Sequence, residues 1–255
     1  MLDLTWVREQ LPGRQIEWFP TMDSTMFAAS RLAAEGAASG TVVGAEEQTA
    51  GHGRYGRAWQ SEAGAGIYLS VVLRFPLTPE TLPVVTLALG LAANEAIVRA
   101  TGVACDLRWP NDVLIGDRKC AGILPQLENK AIVAGFGINV NQAEFPGELA
   151  GIATSLRIAS GKVQSRERVV VELLPAIDAF CEMLAREGKG PILELFSQAS
   201  SYVRGRRVCV EQFVEQGEAT LLGTTAGLNE QGFLLIRDDA GGMHTVIAGG
   251  VRPYC

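Results

Sequence analysis

An α+β fold, in which a mixed β-sheet carries helices and a small all-β unit follows it, is what this chain of 255 residues predicts. Three observations carry that reading. Helical and strand periodicities alternate from residue 22 to residue 139, helices return near 166–187 and 191–202, and beyond Arg206 only short apolar runs broken by glycines remain. An apolar content of 47% is enough to bury a substantial core. The change of character near residue 205 then divides the chain into a larger unit, 1–204, and a smaller one, 205–255.

Taken in order, residues 22–36 predict a helix. Asp23, Ser24 and Thr25 offer caps, Met26, Phe27, Ala29, Leu32 and Ala33 recur at helical spacing, and Gly36 ends the run. Residues 41–47 read as a strand, 48–57 as a polar loop, and 66–74 as a second strand of high β-propensity. Residues 80–100, rich in Leu, Ala and Val, predict a long, deeply buried helix. Short strands follow at 106–109, 113–115, 121–128 and 131–138, with Gly116-Asp117 as a tight turn between two of them. Beyond Arg206, runs starting at Val208, Ala219, Phe233 and Thr245 predict a small β-barrel.

Composition removes several function classes. The weakly charged stretch from Leu82 to Asn94 contains Pro83 and stops at Glu95, short of the ~20 apolar residues of a membrane span, so no membrane helix is expected. Asp3, Arg8 and Glu9 interrupt the N-terminus where a secretory leader needs an apolar run, which predicts a cytoplasmic protein. Cys105, Cys120, Cys181, Cys209 and Cys255 are scattered and form no C-x-x-C pair, so they read as small apolar residues rather than disulfides or zinc ligands. A net charge of -6 gives no footprint for nucleic acid. Positive charge is local instead, at Arg54 and Arg57 in one loop and Arg118 and Lys119 in another, which suits a small anionic ligand.

The spacing of Gly51, Gly53 and Gly56 fits the dinucleotide fingerprint, but no helix follows to hold a pyrophosphate; a strand does. The segment Gly51-His-Gly-Arg-Tyr-Gly-Arg-Ala-Trp59 offers close backbone approach, two forked cations and a flat aromatic face, a set suited to a nucleotide or an acyl-adenylate. Arg108-Trp-Pro-Asn-Asp112 adds an amide and a carboxylate on a rigid turn. Lys119-Cys-Ala-Gly122 places a cation before a glycine in a strand, and Gly135-Phe-Gly-Ile-Asn139-Val-Asn141 ends another strand in amides. Each segment alone also reads plainly as a surface turn, a core tryptophan, a solvated lysine or a strand-end cap. Four such segments in this order are hard to assign to structure alone.

Asp23-Ser-Thr25, Gln48 to Trp59, Arg108 to Asp112, Lys119-x-x-Gly-Ile-Leu124 and Gly-x-Gly-Ile-Asn-Val-Asn141 together resemble the biotin-protein ligase family, from about Thr21 to the C-terminus. The resemblance implies a class II synthetase-like catalytic unit with an SH3-like C-terminal unit. It also implies ATP-dependent formation of biotinyl-adenylate and transfer of biotin to a lysine of the biotin carboxyl carrier protein of acetyl-CoA carboxylase. By the same resemblance, Ser24, Thr25 and Gln48 would bind the ureido head of biotin, the backbone of Gly51, His52, Gly53 and Gly122 would line its side, and Arg54 and Lys119 would be the catalytic cations over carboxylate and α-phosphate. Arg57, Trp59, Asn111, Asp112 and Asn139 would serve the adenylate, with Mg²⁺ held through the phosphates and Asp112 assisting the metal or orienting the loop.

Three residues depart from that pattern: Met26 where asparagine is frequent, His52 where arginine is common, and Arg108 in place of a common lysine. About twenty residues precede Thr21, too few for the three-helix DNA-binding module of larger members, so no repressor function is expected. Lipoate-protein ligase is the nearest alternative activity, and a non-catalytic biotin or nucleotide sensor the alternative from another class. The sequence leaves a homodimer open.

Overall fold

Alternation of large and small side chains along two central strands decides where helices pack and where a cavity remains. The structure, a computed structural model, describes residues 1–76, 81–214 and 217–253, and side chains throughout these except at 212–219. Seven strands form one mixed sheet: β1 (Ile16–Phe19), β2 (Val42–Ala45), β3 (Gly66–Leu73), β4 (Asp106–Arg108), β5 (Asp112–Ile115), β6 (Arg118–Glu128) and β7 (Ala131–Asn139). Their order is β1-β2-β3-β7-β6-β5-β4, with β1 and β2 parallel and every other pair antiparallel.

One face of this sheet presents Ile67, Leu69 and Val71 from β3 and Ile132, Ala134, Phe136 and Ile138 from β7, all buried in the main core. That core also takes α1 (Leu4–Gln10), α3 (Leu82–Thr101), α5 (Arg166–Glu187) and α6 (Lys189–Ala199), with α3 packed along α5. By length and composition α3 could cross a membrane, but it is a core helix here, with residues such as Leu87, Leu89 and Ile97 fully buried. The opposite face carries α2 (Thr25–Ala34), whose Met26, Ala29 and Ala33 close a smaller core over Val43, Val72 and Val133. Because α2 covers only part of that face, the rest is free to receive a ligand.

Beyond α4 (Leu156–Ser160), α5 and α6, a five-stranded antiparallel sheet forms from β8 (Arg204–Val214), β9 (Gly217–Leu228), β10 (Leu234–Arg237), β11 (Met243–Val246) and β12 (Gly250–Pro253), ordered β11-β10-β9-β8-β12. Trp109 docks it to the first sheet: the ring is buried and Nε1 donates to the Gly232 carbonyl at 2.9 Å. Tyr202, fully buried, adds a second tie by donating to Asp117 at 2.9 Å.

Differences from the sequence expectation lie at ends and in short pieces. The helix read at 22–36 begins at Thr25, and Ser24 occupies the cap position without a capping hydrogen bond from its side chain. The strand read at 41–47 stops at Ala45, because Glu46 turns into a buried cluster where it accepts from the Leu2 amide, Trp18 Nε1 and Arg166. The helix read at 191–202 ends at Ala199, since Ser200 Oγ bonds the Leu107 carbonyl and Tyr202 turns inward. Elements α1, β1 and α4, of 7, 4 and 5 residues, are too short to show a period. Cys255 and residue 80 lie outside the described residues.

Glu46 and Arg166 are buried partners 2.9 Å apart. Burial opposes ionisation of Glu46, but the Leu2 amide, Trp18 and Arg166 outweigh it and hold the carboxyl below its usual range. Glu46→Ala leaves Arg166 buried and unpaired, and should cost about 3–5 kcal/mol in urea unfolding. In the unaltered chain the contribution is fully present above the unfolded carboxylate pKa and fades as pH falls through the lower folded value.

Candidate active site

Directly opposed residues in adjacent strands share a face of the sheet. Register therefore aligns one row across the ligand face: Tyr68 opposite Gly137, Gly137 opposite Gly122, Gly122 opposite Asp112, and Asp112 opposite Arg108. The two glycines leave a hollow in the middle of the row, and the Trp59 indole fills it. A Cβ at Gly137 would fall 2.3 Å from Trp59 Cε2, and one at Gly122 would fall 3.0 Å from Cζ3 and 2.8 Å from Lys119 Nζ. Trp59 thus lies flat on the sheet as the floor of a cavity of about 530 Å³, inside the range of small-ligand sites.

Lys119 reaches this cavity through a β-bulge. Val113 pairs with Ala121 and Leu114 with Lys119, so Cys120 is the extra residue. In an unbroken strand residues 119 and 122 would face opposite sides; the bulge turns Lys119 to the same side as Gly122. Its backbone is gripped by the segment that follows β7, Lys119 N donating to Ile152 O and Thr154 N to Lys119 O. The ammonium lies 5.3 Å from the Trp59 ring centre and 2.5 Å from Asp112 Oδ1. Arg108 Nη2 takes the other oxygen of Asp112 at 2.7 Å. Burial pushes against the Asp112 charge most strongly, yet Lys119 and Arg108 win and keep the carboxyl below its usual range.

At the inner end, Gln48 Oε1 accepts from the Thr25 amide and hydroxyl at 2.8 and 3.1 Å, and Thr25 Oγ1 also meets Ser70 Oγ at 2.8 Å. Ser24 Oγ is buried and has no partner, an expensive state for a hydroxyl unless a ligand completes it. Met26 lies beside it, filling the space above Gly135.

The glycine-rich segment is a closed flap. Trp59 N donates to Gly51 O, Gly53 N donates to Arg57 O, and His52 bridges Ala58, so the segment folds back on itself. Gly51 does not line the cavity; it sits at the base of the flap, where a Cβ would press on Gln48 and the Trp59 carbonyl. His52 packs on Phe27 with ring centres 5.2 Å apart. Arg54 donates to Asn111 Oδ1 and to the Gly249 carbonyl, both at 3.2 Å, and so ties the flap to both sheets. Arg57 and Arg252 share Glu211, at 3.3 and 3.0 Å.

Of the residues singled out from sequence, Ser24, Thr25, Gln48, His52, Gly53, Arg54, Arg57, Trp59, Asn111, Asp112, Lys119, Gly122 and Asn139 all line this one cavity. Two of the amides are partly engaged within the protein: Asn111 Nδ2 donates to Ile123 O and Asn139 Nδ2 to Thr154 O. The wall contributed by residues 249–253 of the small sheet, Arg252 among them, was not foreseen. The segment ending Val246-Ile-Ala-Gly-Gly-Val-Arg252 is similar to the family's SH3-like unit, but its motif is weakly diagnostic and marks no ligand contact. Among the described residues no three His, Cys, Asp or Glu side chains come together as a metal cage, and both Asp112 oxygens are already paired.

Residues 18–142 match the model of the Biotin/lipoate A/B protein ligase family. A biotin-[acetyl-CoA-carboxylase] ligase of Mycobacterium tuberculosis is 35% identical over 98% of this chain and 94% of its own. The chain belongs to this family. A bifunctional ligase/repressor of Bacillus subtilis is 33% identical over 92% of this chain and 73% of its own. The biotin protein ligase of Aquifex aeolicus, solved in complex with biotin and ATP, superposes with a TM-score of 0.81 at 30% identity, covering 94% of this chain and 99% of that one. The mixed sheet with a separate antiparallel sheet is the architecture expected from the sequence.

The glycine floor has a direct test. Gly137→Ala drives a methyl into the indole and should lift Trp59 into solvent, raising acrylamide quenching of tryptophan emission. The same substitution in a Trp59→Phe background should leave quenching unchanged; an equal rise there would mean that another tryptophan had moved.

Proposed function

We propose that this chain joins biotin and ATP to biotinyl-adenylate and pyrophosphate, then transfers the biotinyl group to a lysine of a biotin carboxyl carrier protein of acetyl-CoA carboxylase. The observation that carries the reading is one cavity with an unpartnered buried hydroxyl, Ser24 Oγ, at its inner end and Lys119 and Arg54 toward its mouth. A cyclic urea supplies the partner that Ser24 lacks, and an alkyl chain can run over the Trp59 and Gly137 floor toward the cations. Relatives and a superposable structure named for biotin ligation support the same assignment. Lipoate fits the inner end less well, because its dithiolane ring offers no hydrogen-bonding group and would leave Ser24 unsatisfied at a cost of about 1–3 kcal/mol.

In the first step a carboxylate oxygen of biotin attacks the α-phosphorus and pyrophosphate leaves. Two anions must approach, and Lys119 and Arg54 offset their repulsion where the charge is greatest. Mg²⁺ would enter on the nucleotide's phosphates, since the described residues form no cage for it. In the second step the neutral amine of the carrier lysine attacks the acyl carbon and AMP leaves. No enzyme nucleophile is required, so the protein's task is to position and enclose the adenylate. The flap held by Arg54 suits that task, with Arg57, Asn111 and Asn139 beside the nucleotide end.

The deciding experiment is mass spectrometry of a carrier domain incubated with the chain, ATP, Mg²⁺ and biotin, with lipoate in a parallel sample. A mass gain of one biotinyl group confirms the reading; a lipoyl gain alone, or none, defeats it. Lys119→Met keeps the stem and removes the charge, and should lower biotin-dependent pyrophosphate exchange by about 10²-fold or more. Exchange at the level of the unaltered chain would remove Lys119 from the mechanism.

A further inference from the structure

Lys119 has a conflict to resolve before it can act on a substrate, because its charge is already paired inside the protein. Its ammonium lies 2.5 Å from Asp112 Oδ1, in contact. An incoming carboxylate and phosphate must therefore compete with Asp112 for it. We propose that Arg108 is a positioning residue for adenylation, which keeps hold of Asp112 so that Lys119 can leave that carboxylate for the reacting anions. The inference rests on the ligase reading given above.

The geometry separates a fixed cation from a movable one. Arg108 is only 12% exposed, stands opposite Asp112 in the β4–β5 ladder, and takes Oδ2 at 2.7 Å. Its guanidinium lies 5.9 Å from the ring centre of Tyr202, a fully buried side chain whose hydroxyl is tied to Asp117. Arg206 stacks on the same ring at 4.4 Å. Arg108 lines the cavity beside Asp112, with its guanidinium held between that carboxylate and the Tyr202 ring. Lys119, at 29% exposure, has a flexible stem lying over Gly122 beside the Trp59 ring.

Sharing is what makes release feasible. A carboxylate divided between two cations binds each less tightly than it would bind one alone, because the cations repel and split its acceptor sites. When Lys119 turns to the substrate, Asp112 still has Arg108, so no buried carboxylate is stranded. Without Arg108 that stranding would accompany every turnover, and Lys119 would stay with Asp112. The effect belongs to the chemical step rather than to nucleotide affinity, which distinguishes it from a direct phosphate contact.

A double-mutant cycle on the full chain tests this, with biotin-dependent pyrophosphate exchange giving kcat and KM, and circular dichroism melts checking each variant's fold. Arg108→Gln should lower kcat about tenfold while KM for ATP stays within about twofold, the pattern of an interaction needed only in the transition state. Arg108→Lys, which keeps the charge but not the fork, should recover most of the loss. In an Asp112→Asn background, where Lys119 has no carboxylate to leave, adding Arg108→Gln should change kcat less than about twofold. Should Arg108→Gln unfold early, Arg108→Met runs through the same cycle. A rise in KM for ATP at constant kcat would overturn the proposal in favour of direct nucleotide contact. An undiminished loss in the Asp112→Asn background would overturn it in favour of an independent structural role. No exchange by the unaltered chain would instead defeat the ligase reading, and this inference with it.

Discussion

The structure turns on what β6 and β7 lack. A mixed sheet covered by helices would ordinarily bury large side chains on both faces, and β7 does so on one, with Ile132, Phe136 and Ile138 in the main core that α3 and α5 also enter. On the other face the same strand shrinks from Val133 to Gly135 to Gly137, with Gly122 beside it. That loss of side-chain volume creates the cavity, sets the depth at which Trp59 lies, and brings the stem of Lys119 down against the sheet. Packing that stabilises the fold and space that admits a ligand are therefore two faces of one strand.

Charge in the cavity follows the same economy. Asp112 stands in the row that contains the two glycines, and it organises the cations on either side of it. A carboxylate this enclosed persists as an anion only because both of its oxygens are met by positive groups. The family resemblance gave Asp112 two alternative duties, assisting the metal or orienting the loop, and disclosed neither of its ion pairs. Its partners come from neighbouring strands, and only the register discloses them.

Much of the fold was legible because long elements advertise their period. The helices over 82–101 and 166–187 and the strands at β3, β6 and β7 were all readable, whereas α1, β1 and α4 were too short to register. The site was legible where its chemistry lies in contiguous segments, as with Gln48 to Trp59 and Lys119 to Gly122. It was not legible where the determinant is relational. No composition marks Cys120 as a bulge, yet the bulge aims Lys119. Nothing near Glu211 or Arg252 suggests a ligand site, yet tertiary packing brings both to the flap. Ser24 came from the family resemblance; what the structure adds is that its hydroxyl makes no capping bond and lies buried and unpartnered in the cavity wall.

The flap over the cavity is closed at its base by the Trp59 amide on the Gly51 carbonyl, and its tip is held by Arg54 and Arg57. Such an arrangement localises entropy. Residues 52–58 can melt and re-form while the Trp59 amide remains anchored at Gly51, so the chain between the anchors is short and regaining order costs few degrees of freedom. Opening gives up part-exposed polar contacts and the packing of His52 on Phe27, none of it in the main core, which places it toward the low end of the local unfolding scale. The enzyme can therefore exchange what it encloses many times without approaching the unfolding of the sheet that holds it.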